Sequence, residues 1–195
     1  MPNSFQLPVR RVFERLAPIG PTPAGVSAAE RLGCEFAMIQ ACNGRASQVD
    51  ERLRGEFGLA LPVGPRRVSS RALALLGLGP LRWLAISSGE MRLAEALERT
   101  LAGCAAVIDQ TDGLALLRIG GPRARETFAK GLPIDLDPQE FAADHVAVSA
   151  VAHVGLTIWR LDDAPTFEVA VPRSYANAFA HWLQQSAAEF GLAVG

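Results

Sequence analysis

Between Cys34 and Ile108, short apolar runs and amphipathic stretches alternate in the order β-α-β-β-α-β, and this order restricts the fold more than any other feature of the chain. Cys34 to Cys42 is a mostly apolar run of strand length, bounded by Asn43-Gly44. A helix follows, with Ala46, Val49, Leu53 and Phe57 recurring on one face and Gly58 as its stop. Ala72–Leu78 and Arg82–Ile86 then form a hairpin about Gly79-Pro80. Ser87 and Glu90 have the spacing of a capping box. The helix it opens aligns Leu93, Leu97 and Leu101 and closes at Gly103, and Ala105–Ile108 returns as a strand. This is the split βαβ, or ferredoxin-like, arrangement.

The second half runs in a related order. Leu114–Ile119 reads as a strand, Gly120-Gly121-Pro122 as a turn with Pro122 in the first helical position, and Arg123–Lys130 as a short helix ended by Gly131. Val146–Val154 and Leu156–Leu161 read as an antiparallel pair, Asp162–Pro165 as a turn, and Thr166–Val171 as a third strand. A last helix begins near Ser174, with Tyr175, Phe179, Trp182, Leu183 and Phe190 at helical spacing, and ends at Gly191. The two halves share an order of elements without a residue-level repeat.

The expected fold class is therefore α+β: two small ferredoxin-like units with antiparallel sheets, residues 31–110 and 111–195. Residues 1–30 are expected to be an irregular arm, broken by Pro8, Pro18, Pro21 and Pro23. That arm carries Phe5, Leu7, Val9, Val12, Phe13, Leu16 and Ile19, so it should pack on its own body or on another chain.

Charge and cysteine usage exclude several roles. Net charge is −1, and the 19 basic residues, all arginine except Lys130, are scattered, so a nucleic-acid face is not expected. Three cysteines, Cys34, Cys42 and Cys104, lack C-x-x-C spacing; we read them as buried thiols of a cytoplasmic protein. No apolar run reaches the length of a membrane span.

Motifs for covalent or phosphate chemistry, such as G-x-S-x-G, a P-loop, H-E-x-x-H or G-x-G-x-x-G, do not occur. His145 and His153 are evenly spaced and can share a strand face; with no third ligand at suitable spacing, ordinary strand histidines are the preferred reading, and His181 edges the last helix. Asp109 with Asp112, and Asp162 with Asp163, read as turn residues rather than an acid–base pair. A helix start after Gly120-Gly121-Pro122, with Arg123 and Arg125, can hold an anion; a tight strand-to-helix turn is the plainer reading. Aromatics and arginines dominate protein interfaces, which makes Phe5, Phe13, Trp159, Arg160, Arg123 and Arg125 candidate interface residues. No catalytic, cofactor-binding or metal-binding residue is assigned.

Several phrases occur together in order. They are Val107-Ile108-Asp109-Gln110-Thr111-Asp112-Gly113, Leu116–Arg125, Lys130–Leu136, Trp159–Phe167, and Val171-Pro172-Arg173-Ser174-Tyr175 through Trp182. They resemble the gamma subunit family of heterotetrameric sarcosine oxidase, most densely over residues 105–190. The same half is more distantly similar to the folate-binding region of glycine-cleavage aminomethyltransferases. The resemblance implies a gamma subunit of a complex that oxidatively demethylates sarcosine to glycine, with hydrogen peroxide and a one-carbon unit for tetrahydrofolate. It implies alpha, beta and delta partners that hold FAD, FMN, NAD, tetrahydrofolate and zinc, and no cofactor in this chain. Alternatives are the same subunit in a related N-methyl amino acid demethylase, a free-standing folate-binding module, and a regulatory small-ligand module.

Overall fold

The computed structural model describes residues 11–89 and 91–195. Among them the first elements are β1 (Val26–Glu30), β2 (Cys34–Ala41), α1 (Ala46–Phe57), β3 (Arg67–Ser69), β4 (Leu73–Gly79), β5 (Arg82–Ser88), α2 (Leu93–Thr100) and β6 (Ala105–Asp109). There follow β7 (Leu114–Gly120), α3 (Ala124–Ala129), β8 (Val146–Val151), β9 (Val154–Arg160), β10 (Phe167–Pro172), α4 (Ala176–Ala187) and β11 (Leu192–Val194).

Two sheets result. One has the order β3-β4-β5-β2-β6 and the other β11-β1-β7-β10-β9-β8. Without its edge strand β3, the first is the antiparallel ferredoxin-like sheet, with β2 flanked by β5 and β6. The second repeats this order, with β8 as the added edge strand and β1 inserted between β7 and β11. Strand β1 runs antiparallel to β7 and parallel to β11.

Side-chain alternation explains how the layers stack, because successive residues of a strand point to opposite faces. Ala37 and Ile39 of β2, Leu73 and Leu75 of β4 and Ala85 of β5 pack with Val49, Leu53, Leu93 and Leu97 of α1 and α2. The intervening residues Phe36, Leu76, Leu84 and Ile86 meet Leu116, Val146, Trp159 and Ala170 of the other sheet. Leu117, Ile119, Phe167 and Val169 face the far side, where Phe128 of α3 and Phe179 and Leu183 of α4 cover them. The layers are thus helix, sheet, sheet, helix. The inner strands are apolar on both faces because both faces are covered. Each such aromatic or leucine contributes roughly 1.5–3 kcal/mol by leaving water.

The N-terminal arm departs from the expectation. Residues 11–30 are not wholly irregular: Phe13 and Leu16 sit in the second unit's core, and Val26–Glu30 completes its sheet. The close fit depends on glycine. A Cβ on Gly121, at φ +109°, would lie 2.5 Å from the carbonyl oxygen of Gly25.

Other local expectations are also revised. Ser87 lies inside β5, buried and opposite Glu35, so it does not cap α2. Glu90, the other half of that motif, falls outside the described residues. The helix instead receives the Glu35 carboxylate, whose Oε2 accepts the Leu93 N–H at 2.6 Å. The β8–β9 turn is at Ala152-His153, both with positive φ, as a two-residue hairpin demands, rather than at Gly155. Pro122 precedes α3 by two residues, and α4 is preceded by a 3-10 turn, Arg173–Tyr175.

Candidate functional site

Among the described residues the chain crosses between the sheets twice, at residues 31–33 and 110–113, and the two crossings lie together. Arg31 donates its N–H to Leu116 O at 2.9 Å, and Gln110 donates to Phe36 O at 2.8 Å. Phe36 N–H reaches Thr111 Oγ1 at 3.1 Å, and Thr111 N–H reaches Asp109 Oδ1 at 2.8 Å. That last bond holds the Asp109 carboxyl below its ordinary pKa. Beside these crossings opens a cleft of about 1080 Å3, walled by Leu32, Phe36, Leu114 and Leu116 and edged by Arg31 and Arg173.

Next to it, between the sheets, lies a charged cluster. Glu168 of β10 is 7% exposed and stands opposite Arg118 of β7 and Trp159 of β9 in the sheet register. Its Oε1 accepts Arg118 Nη2 at 2.8 Å and Nε at 3.2 Å, and its Oε2 accepts Trp159 Nε1 at 3.2 Å. Arg31 Nε lies 3.6 Å from Oε1. A charge between two sheets survives only when paired and hydrogen-bonded, and Glu168 is both. The Cys34 thiol borders this cluster; burial pushes its pKa up, against the opposing pull of Arg31.

The structure redistributes the candidate interface residues. Trp159 is 1% exposed and belongs to the packing between the sheets, so it is not a free anchor for another chain. Arg160, 3% exposed, faces the opposite side of the strand, where Nη1 and Nη2 donate to the Phe141 and Asp163 carbonyls at 3.1 and 2.6 Å. Phe13 is likewise core. Phe5 lies outside the described residues. Arg123 and Arg125 remain at the surface, each in a salt bridge, with Glu126 at 3.0 Å and Asp137 at 3.3 Å. The first N–H groups at the start of α3 are already used, Arg123 N donating to Gly25 O and Ala124 N to Gly121 O, each at 3.0 Å, as a tight strand-to-helix turn requires.

The titratable groups noted in the sequence do not converge. His153 sits in the hairpin turn, while His145 packs edge-on to Phe141 with ring centres 5.7 Å apart. Burial, with Arg66 nearby, keeps the His145 pKa below its ordinary value. Asp162 and Asp163 are exposed turn residues. Only Cys104 is a buried thiol; Cys34 is half-buried and Cys42 exposed. Among the described residues, no three His, Cys, Asp or Glu side chains gather as a metal site.

Sequence reasoning did not single out Glu168 and Arg118. Each is the one charged residue within its apolar strand, Leu114–Gly120 or Phe167–Pro172, which is the signal that a partner must lie across the sheet.

Comparison with known proteins follows the same geometry. The model of the "Sarcosine oxidase, gamma subunit family" matches residues 44–189. The sarcosine oxidase subunit gamma of Arthrobacter sp is 30% identical over 142 residues, 71% of this chain and 69% of that one. The corresponding subunit of Corynebacterium sp. (strain U-96) is 26% identical over 144 residues, 72% and 70% of the two chains. Among solved structures, a chain of the heterotetrameric sarcosine oxidase from Corynebacterium sp. U-96 overlays with TM-score 0.78 at 22% identity, covering 88% of each chain. The glycine cleavage system aminomethyltransferase T of Bartonella henselae overlays with TM-score 0.62 at 19% identity, covering 89% of this chain and 48% of that one.

Proposed function

From the premise that this chain belongs to the sarcosine oxidase gamma subunit family, we propose that it serves its complex as a structural subunit while catalysis proceeds on the other subunits. Its role is that of a gamma subunit. In this reading its partners are alpha, beta and delta subunits, which carry FAD, FMN, NAD, tetrahydrofolate and zinc and convert sarcosine to glycine. The complex is cytoplasmic in this reading; among the described residues no helix is long and apolar enough to cross a membrane.

The observation that carries the structural role is how the polar groups are employed. Glu168, Arg118 and Trp159 satisfy one another, Arg160 ties two loops together by their carbonyls, and Glu35 closes a helix end. These groups fasten neighbouring strands, loops and a helix end to one another, which is what a scaffold requires of its interior.

The test is capture of a tagged full-length chain from its source cell. Stoichiometric recovery of larger flavin-containing chains, with the flavin leaving when they dissociate, is the expected result. A chain that elutes alone, or that itself retains flavin or turns over an N-methyl amine, overturns the reading.

A second reading, a small-ligand module, draws on the 1080 Å3 cleft, which is large enough for a cofactor-sized molecule. It predicts saturable heat on titration of the isolated chain with tetrahydrofolate; absence of heat removes it.

A further inference from the structure

The charged cluster between the sheets borders a recess of about 130 Å3 that the structural role does not use. This is well below the roughly 300–1,000 Å3 of pockets that enclose drug-sized ligands, and it suits a group of a few heavy atoms. Its walls include Arg31, Ser69, Arg71, Ile86, Leu116 and Arg118.

The charge around it is unbalanced. A fourth arginine at the rim, Arg67, is held by Asp144. Glu168 is the acid lining the recess, and its oxygens are engaged by Arg118 and Trp159. Arg31, 3.6 Å from the nearer oxygen, is close enough for attraction but beyond hydrogen-bonding range. Arg71 is exposed and has no acidic partner among the described residues. Three guanidinium groups and one carboxylate therefore line the recess, and two of the three lie within 3.6 Å of that carboxylate. Guanidinium forks match the planar geometry of a carboxylate and the oxygens of a phosphate, and apolar walls strengthen the attraction by excluding water.

We propose that this recess binds a small oxyanion, a carboxylate or a phosphate, between Arg31, Arg71 and Arg118. The anion completes the charge that Glu168 leaves unmatched. It also links the Ser69–Arg71 segment of the first sheet's edge to β7 and to the end of β1. The site stands apart from the scaffold role and survives if that role is wrong.

Trp159 lines the recess and supplies the reporter. The full chain is titrated with acetate, formate or inorganic phosphate at constant ionic strength while tryptophan fluorescence is followed. We expect a saturable change with a dissociation constant of about 1 mM, weakened about tenfold by Arg71→Gln and by Arg31→Gln. Both residues lie at the rim, and unchanged thermal melts of the variants in anion-free buffer separate lost binding from lost fold. Saturation by acetate and formate alone identifies a carboxylate site, and saturation by phosphate alone a phosphate site. No saturable change with any of the three in the parent chain, or equal binding by both variants, overturns the proposal.

Discussion

Replacing Glu168 by alanine isolates the physical role of the charged cluster between the sheets. Three losses follow. Trp159 Nε1–H is 3.2 Å from the carboxylate and has almost no access to water, so removing its acceptor strands a buried donor, at a cost of about 1–3 kcal/mol. Arg118 loses its partner, but its side chain is 41% exposed and water takes over part of the solvation, so this loss is held to about 1 kcal/mol. Removing the carboxyl and a methylene also leaves a small void worth about 1 kcal/mol. A net destabilisation of about 3 kcal/mol is expected, which for a chain of this size lowers Tm by roughly 6–12 °C.

Urea unfolding of Glu168→Ala, Glu168→Gln, Trp159→Phe and the Trp159→Phe/Glu168→Ala pair measures it. The glutamine keeps an acceptor and should lose about half as much as alanine, roughly 1.5 kcal/mol. In the Trp159→Phe background there is no indole donor to strand, so Glu168→Ala should cost about 1–2 kcal/mol less than in the parent. The reasoning is refuted if Glu168→Ala stays within about 0.5 kcal/mol of the parent, or if its cost is unchanged when Trp159 is phenylalanine.

Gly121→Ala places a methyl 2.5 Å from Gly25 O at a φ of +109°, so it should destabilise by about 2 kcal/mol or more and open residues 20–25 to limited proteolysis; an unchanged melt and digest refute the close approach. With a thiol reagent near pH 8, exposed Cys42 should react first, Cys34 slowly because burial raises its pKa, and Cys104 only on unfolding, as mass mapping against time will show. His145 has a depressed folded pKa, so the folded chain binds fewer protons and stability falls as pH drops below the unfolded value of about 6.5; urea titrations from pH 7.5 to about 5 should show this fall, and it should flatten in His145→Gln.

The elements legible in the sequence are those whose causes are local. Helix α1 begins and ends where expected because its apolar period and the left-handed Gly58 are written in adjacent residues. The hairpin of β4 and β5 follows for the same reason. The start of α2 was not legible, because its carboxylate comes from Glu35, 58 residues earlier, and a nearby pattern of the right letters sits in a strand. Strand β1 was hidden differently. Val26–Glu30 is short, made largely of small residues and follows several prolines, and it becomes a strand by docking between β7 and β11, an effect of tertiary context rather than propensity. For the site, alternation along β9 separates Trp159 from Arg160. A side-by-side aromatic and arginine suggested one exposed anchor, yet one points between the sheets and the other toward loop carbonyls. The lone charges of β7 and β10 were readable as a pair, since two apolar strands interrupted once each by opposite charges can bury both by lying in register.

The two sheets share one strand order, and the cleft and the recess lie where that order is broken. In the first unit β2 is hydrogen-bonded directly to β6; in the second, β1 separates β7 from β11. The extra strand then crosses to the first sheet over residues 31–33, beside the return crossing at 110–113. It carries Arg31 to within 3.6 Å of Glu168 and supplies Leu32 to the large cleft. Both the cleft and the smaller recess are lined by Arg31 and Cys34. A pair of units with identical sheets would close against each other by apolar contact alone, as Phe36, Leu84, Leu116 and Ala170 do at the centre. The crossing that follows the inserted strand places a guanidinium at both cavities, so the segment that looked least structured in the sequence shapes the region where the chain offers chemistry rather than packing.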